Sequence, residues 1–182
     1  QVLTWNLGDL FESVADIVGD REAVVSDVAR LSYADLDRRS NQLARHLADL
    51  GVGPGDHVAL VLRNGHEYLE GMLAAFKLRA VPINVNTRYT TDELRYLLTD
   101  AAPTVVIHEA HLADLLPAAV SHLEPRPVLV DRYAGYEEAL AARPGHRLTV
   151  SRSGDDRYLL YTGGTTGLPK GVVWRHEDLV FS

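Results

Sequence analysis

The chain contains no cysteine, which excludes disulfides and thiolate metal sites. It has no apolar run approaching the ~20 residues that a membrane-spanning helix needs. Its opening stretch, QVLTWNLGDLFES, lacks both the basic and the apolar segment of a secretory signal. It also lacks an initiator Met, so a trimmed N-terminus is expected. There is no basic stripe: 18 Lys and Arg are interspersed with 25 Asp and Glu for a net charge of −7, so nucleic acid is not the expected partner. His46, His57, His66, His108, His111, His122 and His146 are scattered, with no pair at i, i+4 flanking a Glu, so no zinc site is implied. Internal repeats and low-complexity segments are missing too. A cytoplasmic protein is the expectation.

What is present suits a globular domain or a large part of one. The chain has 182 residues, of which 46% are hydrophobic and 24% charged. Leu7, Leu10, Phe11, Val14 and Val18 recur at helical spacing after Asn6. EAVVS and RLSY read as short strands around a turn. From Tyr33 to Leu50, Leu36, Leu43, Leu47 and Leu50 form one buried stripe on a polar helix, which GVGPGD (51–56) ends. HVALVL is a continuous apolar strand of the kind found inside parallel sheets.

The alternation continues. Glu67 to Leu78 reads as a helix, and AVPINV as a strand with Pro at its edge. TTDELRYLLTDA opens with a Thr cap and first-turn acids that suit the helix dipole. TVVIH, RPVLVD and RYLLYT read as strands, and EAHLADLLPAAV and YEEALAAR as helices. Residues 142–157 carry the least pattern and are expected to be an exposed connection. VVW is a last strand and HEDLVFS the start of a helix. Strands alternating with helices predict an α/β fold, with mostly parallel sheets flanked by helices.

The informative stretch is YTGGTTGLPKGVV. After Tyr161, residues Thr162, Gly163, Gly164, Thr165, Thr166 and Gly167 offer successive backbone N–H groups with little side-chain bulk. Glycine lets a backbone approach a ligand closely, and such a run of amides forms an anion-binding concavity. The Thr hydroxyls can donate to phosphate oxygens, or one can bind Mg²⁺. Beyond Leu168, Pro169 stiffens the exit and Lys170 adds a mobile positive charge. This is not the P-loop of NTPases, in which Lys follows Gly, Ser or Thr follows Lys, and a helix begins. Here Gly171, Val172 and Val173 favour strand. The reading is a polyphosphate loop between two strands, able to close over its nucleotide.

These residues resemble the phosphate-binding signature of the adenylate-forming superfamily, which includes acyl-CoA synthetases, luciferases and peptide-synthetase adenylation domains. The usual form has Ser or Thr where this chain has Gly163, which leaves only a backbone contact there. The stretch from LSYADLDRR to PINVN is similar to the family's N-terminal part. NTRYTTDELRYLLTDAAPTVVI is similar to the segment that follows it in acyl-CoA synthetases. Where the family commonly has Lys-Ala-Gly, this chain has Lys77-Leu78-Arg79. The variants look most like actinobacterial fatty-acid or steroid-side-chain CoA ligases.

The resemblance implies that residues 1–182 are the N-terminal portion of the large AMP-binding domain, with the C-terminal remainder and a small lid domain absent. It implies a carboxylic acid, ATP with Mg²⁺, and CoA as reactants. The acid attacks the α-phosphate to give acyl-AMP and pyrophosphate, and CoA then takes the acyl group. By motif match, Thr162 to Lys170 hold the β- and γ-phosphates, with Thr162 or Thr165 near the metal. No catalytic residue is assigned within the chain, which is expected to be inactive alone. His176 is expected to cap or orient the helix it begins, with a secondary claim on the acyl pocket. Arg88 and Tyr89 follow a strand end where ligands often lie, but are expected to be a solvated loop residue and a packing residue. A homodimer is left open. Two alternatives remain beside the CoA ligase: an acyl-AMP ligase that loads a carrier protein, and a nucleotide-binding module without catalysis.

Overall fold

The computed structural model describes residues 5–162 and 169–181. Its centre is a six-stranded sheet in the order β6-β5-β3-β4-β7-β8. The strands are β3 (His57–Val61), β4 (Val81–Asn84), β5 (Val105–His108), β6 (Val128–Asp131), β7 (Arg157–Thr162) and β8 (Lys170–Arg175). All neighbours run parallel except β7 and β8, which pair antiparallel. A separate antiparallel pair, β1 (Glu22–Val25) and β2 (Arg30–Ser32), precedes the sheet.

Helices cover both faces. One core joins Val58, Leu60, Val105 and Ile107 to Leu43 and Leu47 of α2 (Tyr33–Asp49), to Ala74 and Ala75 of α3 (His66–Lys77), and to Tyr136 and Leu140 of α6 (Tyr136–Ala141). The other joins Ala59, Val61, Ile83 and Val106 to Leu94, Leu97 and Leu98 of α4 (Thr91–Ala101) and to Leu116 and Ala119 of α5 (Leu116–Val120). Successive residues of β3 therefore enter different cores. This is why HVALVL carries no polar alternation.

Helix starts follow local chemistry. Asn6, Ser32 and Thr90 each cap a helix in a capping box with Asp9, Asp35 and Glu93, at the starts of α1 (Leu7–Val18), α2 and α4. Pro82 lies inside the sheet yet leaves no unfilled partner. The amides of Val81 and Val85 donate toward β3, so that of Pro82 would face β7, and β7 pairs only from Ile83 onward.

Two expectations are corrected. Residues 109–120 are not one helix: a 3₁₀ turn at Ala110–Leu112 is followed by α5. Pro117 lies in the first turn of α5, where its missing N–H costs nothing, whereas inside a longer helix it would break the ladder. Nor is 142–157 a merely exposed connection. Arg152 and Asp156 are buried, and Arg152 donates to both Asp9 and Glu12 of α1. The segment lacks periodicity because ion pairs hold it in place of an apolar stripe.

Helix α3 ends in a Schellman turn: Ala80 N–H bonds to Ala75 C=O and Arg79 N–H to Phe76 C=O. Its left-handed position belongs to Arg79, at φ 61°. A non-glycine residue there costs about 1–2 kcal/mol. The Arg79 Nε donates to Asp156 Oδ1 at 2.9 Å, and the Asp156 side chain is only 5% exposed. Charge-assisted bonds of this kind are worth about 1.5–3 kcal/mol, less some screening at the half-buried guanidinium. Arg79→Gly is therefore expected to destabilise by about 1 kcal/mol despite relieving the backbone. A urea midpoint higher than wild type's would show that the strain dominates.

Candidate functional site: the β7–β8 hairpin

The strand order reverses about β3: the chain passes from β3 to β4 on one side, then across to β5 on the other. Ligands of α/β sheets gather outside the carboxyl ends of such strands. The polyphosphate loop predicted from sequence follows the carboxyl end of β7.

The pairing of β7 with β8 runs from Arg157↔Arg175 to Thr162↔Lys170. Gly163, Gly164, Thr165, Thr166, Gly167 and Leu168 lie outside the described residues, so their assigned phosphate contacts, and the metal contact of Thr165, have no geometry here. The mouth is described. Thr162 and Lys170 are both exposed and stand opposite each other in register, with Pro169 half-buried beside them. Among the described residues, no carboxylate pairs with Lys170 within salt-bridge distance. An unpaired ammonium fits a polyanion. Thr162 alone supplies one oxygen, too few to define a metal site.

Two features shape this mouth. Tyr161 donates its hydroxyl to Asp100 Oδ2 on α4 at 2.6 Å. Burial, with the Asp100 carboxylate, pushes this phenol above its usual value. Across the ladder, Gly171 stands opposite Tyr161, and a Cβ there would come 3.0 Å from Leu159 Cδ1 and 3.3 Å from Tyr161 Cζ. Glycine at 171 lets the Tyr161 ring lie over β8. At the end of β4, Arg88 is exposed while Tyr89 packs on the core shared by α4 and α5, as the sequence suggested.

The base of the hairpin was not foreseen. His176 opens α7 (His176–Phe181) and is fully buried. Its Nδ1 accepts the Leu7 N–H at 3.1 Å, and its Nε2 donates to the Arg157 carbonyl at 3.2 Å. Its ring meets Phe76 edge-on at 4.6 Å. With both nitrogens engaged by main chain, the polar contacts of His176 organise the base of the hairpin. Burial lowers its basicity, partly countered by the Arg157 carbonyl and the Asp156 charge, so the ring is held neutral. Beside it, buried Asn6 donates to Asp156 Oδ2 and to the Phe76 carbonyl, each at 2.8 Å. The helix start after Asn6 was legible in sequence, but its capping contact comes from the structure. The bond from Asn6 to Asp156 was not legible, because Asp156 is remote in the chain.

This architecture defines a class: a mostly parallel α/β sheet with an antiparallel edge hairpin, whose connecting sequence is rich in Gly and Thr and whose Lys170 has no carboxylate partner among the described residues. The chain belongs to the AMP-binding enzyme family, whose match covers residues 11–182. It is 43% identical to a 3-oxocholest-4-en-26-oate–CoA ligase of Rhodococcus rhodochrous, over 96% of this chain and 34% of that protein. It is 42% identical to a medium/long-chain-fatty-acid–CoA/3-oxocholest-4-en-26-oate–CoA ligase of Mycobacterium tuberculosis, with the same coverage of 96% and 34%. Among solved structures it is similar to the N-terminal domain of FACL13 from Mycobacterium tuberculosis, at a TM-score of 0.87 and 31% identity over 97% of this chain and 46% of that one. The chain thus spans about a third of the length of the curated relatives it matches, 34% in each case. Among the described residues, no helix is long and apolar enough to cross a membrane.

Proposed function

We propose that this chain is the N-terminal portion of the large domain of an ATP-dependent acid–thiol ligase acting on a fatty or steroid-type carboxylic acid. The acid's carboxylate oxygen attacks the α-phosphorus of ATP, pyrophosphate leaves, and acyl-AMP forms. The CoA sulfur then attacks the acyl carbon, loses its proton to solvent or a base, and AMP departs. Adenylation replaces a poor leaving group by a good one, so the protein's work is positioning and charge neutralisation. Thr162 to Lys170 hold the β- and γ-phosphates, and Mg²⁺ accompanies the nucleotide. The observation that carries the reading is the exposed Lys170, without a carboxylate partner among the described residues, in register with Thr162 at the mouth of the hairpin.

The names of the relatives supply the acid and the thiol: fatty acids or 3-oxocholest-4-en-26-oate, and CoA. The rest of the polypeptide supplies the adenine site and the catalytic lysine and covers β8, all six of whose residues are exposed, among them Val172, Val173 and Trp174. We place the enzyme in the cytoplasm. In the intact enzyme, Lys170→Ala is expected to lower ATP use at least ~10-fold, about 1.4 kcal/mol of transition-state stabilisation. Carboxylate-dependent AMP release, assayed over short, long and steroidal acids, reads this out and identifies the acid. An unchanged rate would remove the phosphate role from the hairpin.

A further inference from the structure

The free lysine stands at the tip of a lever. Strand β8 is exposed at every position and is held by its pairing with β7 and by α7 at its base. The tip lies five residues from the base, roughly 17 Å at ordinary strand rise. Where Lys170 stands thus depends on how the base is fixed. The base is fixed by buried polar groups from four elements. His176 joins the first amide of α1 to the Arg157 carbonyl of β7. Its own N–H donates to the Asp156 carbonyl at 2.9 Å. The Asp156 carboxylate takes Asn6 Nδ2 from the α1 cap, Arg79 Nε from the end of α3, and the Ser153 amide. Each of these buried groups is satisfied only while the others stay in place, so the node has little freedom to drift.

We propose that Asn6, Asp156 and His176 form a latch between the N-terminal helix and the base of the phosphate-binding hairpin, and that they are positioning residues for nucleotide binding. The inference rests on the reading of the hairpin given above. The latch needs a neutral imidazole, because Nδ1 must accept the Leu7 amide. Protonation turns that acceptor into a donor facing a donor. The charged groups on the elements that meet the ring are Asp156 with Arg79, Asp9 of α1 with Arg152, Arg157 of β7, and Arg175, Glu177 and Asp178 on its own side. Of these only Asp156 bears directly on the ring in favour of the charged form, and its carboxylate is already matched by Arg79. Because the folded ring is less basic than the free one, it is still neutral at the ordinary imidazole value, and the latch opens only as the pH falls further.

The test uses the intact enzyme. His176→Ala is expected to raise the KM for ATP about 10-fold with kcat little changed. His176→Gln, whose amide oxygen and NH₂ can take the same two main-chain partners, restores most of that loss. Wild-type KM for ATP holds through the ordinary imidazole range and climbs at lower pH, and that of His176→Gln does not. Amide exchange at Leu7 and along 157–162 accelerates in His176→Ala without nucleotide. The latch is overturned if His176→Gln climbs in step with wild type, or if His176→Ala leaves both ATP binding and amide exchange unchanged. Should His176→Ala not fold, the two pH profiles decide the matter. Lys170→Ala run alongside separates the readings: normal ATP use there defeats the phosphate role, whereas its loss with a pH-independent wild type defeats only the latch.

Discussion

Replacing Lys77 by Met is expected to destabilise the fold by about 3–5 kcal/mol. The Lys77 side chain is fully buried at the end of α3. Its ammonium donates to Asp37 and, at 2.6 Å, to Asn41 Oδ1, and lies 3.0 Å from Glu12 Oε1. Two arginines complete the cluster: Arg152 pairs with Glu12 and Asp9, and Arg147 with Asp37 and Asp16. Met fills the volume but leaves Asn41 Oδ1 without its donor and Asp37 with Arg147 alone. Removing one partner of a buried network costs far more than the network contributes relative to an apolar core. The acid limb should move as well. Burial alone would raise the Glu12 carboxyl, but hydrogen bonds and charge from Arg152 and Lys77 outweigh it and hold the group below its usual range. A lowered carboxyl contributes stability above its unfolded value and loses it as the pH falls through the folded one. Without Lys77 the folded value rises, so stability is lost at a higher pH than in wild type. Urea midpoints at neutral pH and at about pH 4 check both parts. A loss under about 1 kcal/mol would mean that the remaining charges re-pair freely.

The sheet and its helices were legible because one physical signal writes them. Val58 to Val61 are buried on both faces and so read as an unbroken apolar run, while Leu36, Leu43 and Leu47 mark one face of α2. Capping residues are local too, and Thr90 was identified without the structure. The Gly/Thr loop with its Pro-Lys-Gly exit was legible as chemistry. The polar scaffold was not. Glu12, Lys77 and Arg152 look like surface residues because their partners lie far away in the chain, and pattern reading sees only neighbours. One clue was available: Lys77 stands three residues after Ala74 on the stripe that meets the core, where a solvated lysine does not belong. His176 was expected to act on its own helix through the acids that follow it. It acts instead on α1 and β7, a relation that only the assembled sheet creates.

Glu70→Ala is expected to cost about 3–5 kcal/mol by the same mechanism, two turns before Lys77 on α3. The Glu70 side chain is fully buried, facing Arg39 of α2, and its Oε2 accepts the Tyr136 hydroxyl of α6 at 2.6 Å. One carboxylate thus ties three helices on the same face of the sheet. Arg39 has a second carboxylate in Glu137, whose side chain is 61% exposed and therefore a weaker substitute. Among the described residues, the Tyr136 hydroxyl has no second hydrogen-bond partner. Burial, with the Glu70 charge, pushes its phenol far above the usual range, so it remains a neutral donor at any pH the fold survives. Alanine would leave that hydroxyl buried and unpaired beside a half-compensated guanidinium. Glu70→Gln keeps the shape and an acceptor, and should cost about 1–2 kcal/mol, the difference between a charge-assisted and a neutral bond. Tyr136→Phe should cost a similar amount. Because both single changes break one contact, the double variant Glu70→Gln with Tyr136→Phe should fall short of their sum by about 0.5 kcal/mol or more. Full additivity would show that Tyr136 and Glu70 stabilise the face independently. In that case the load would fall on Arg39, and Arg39→Met would then be the costlier change.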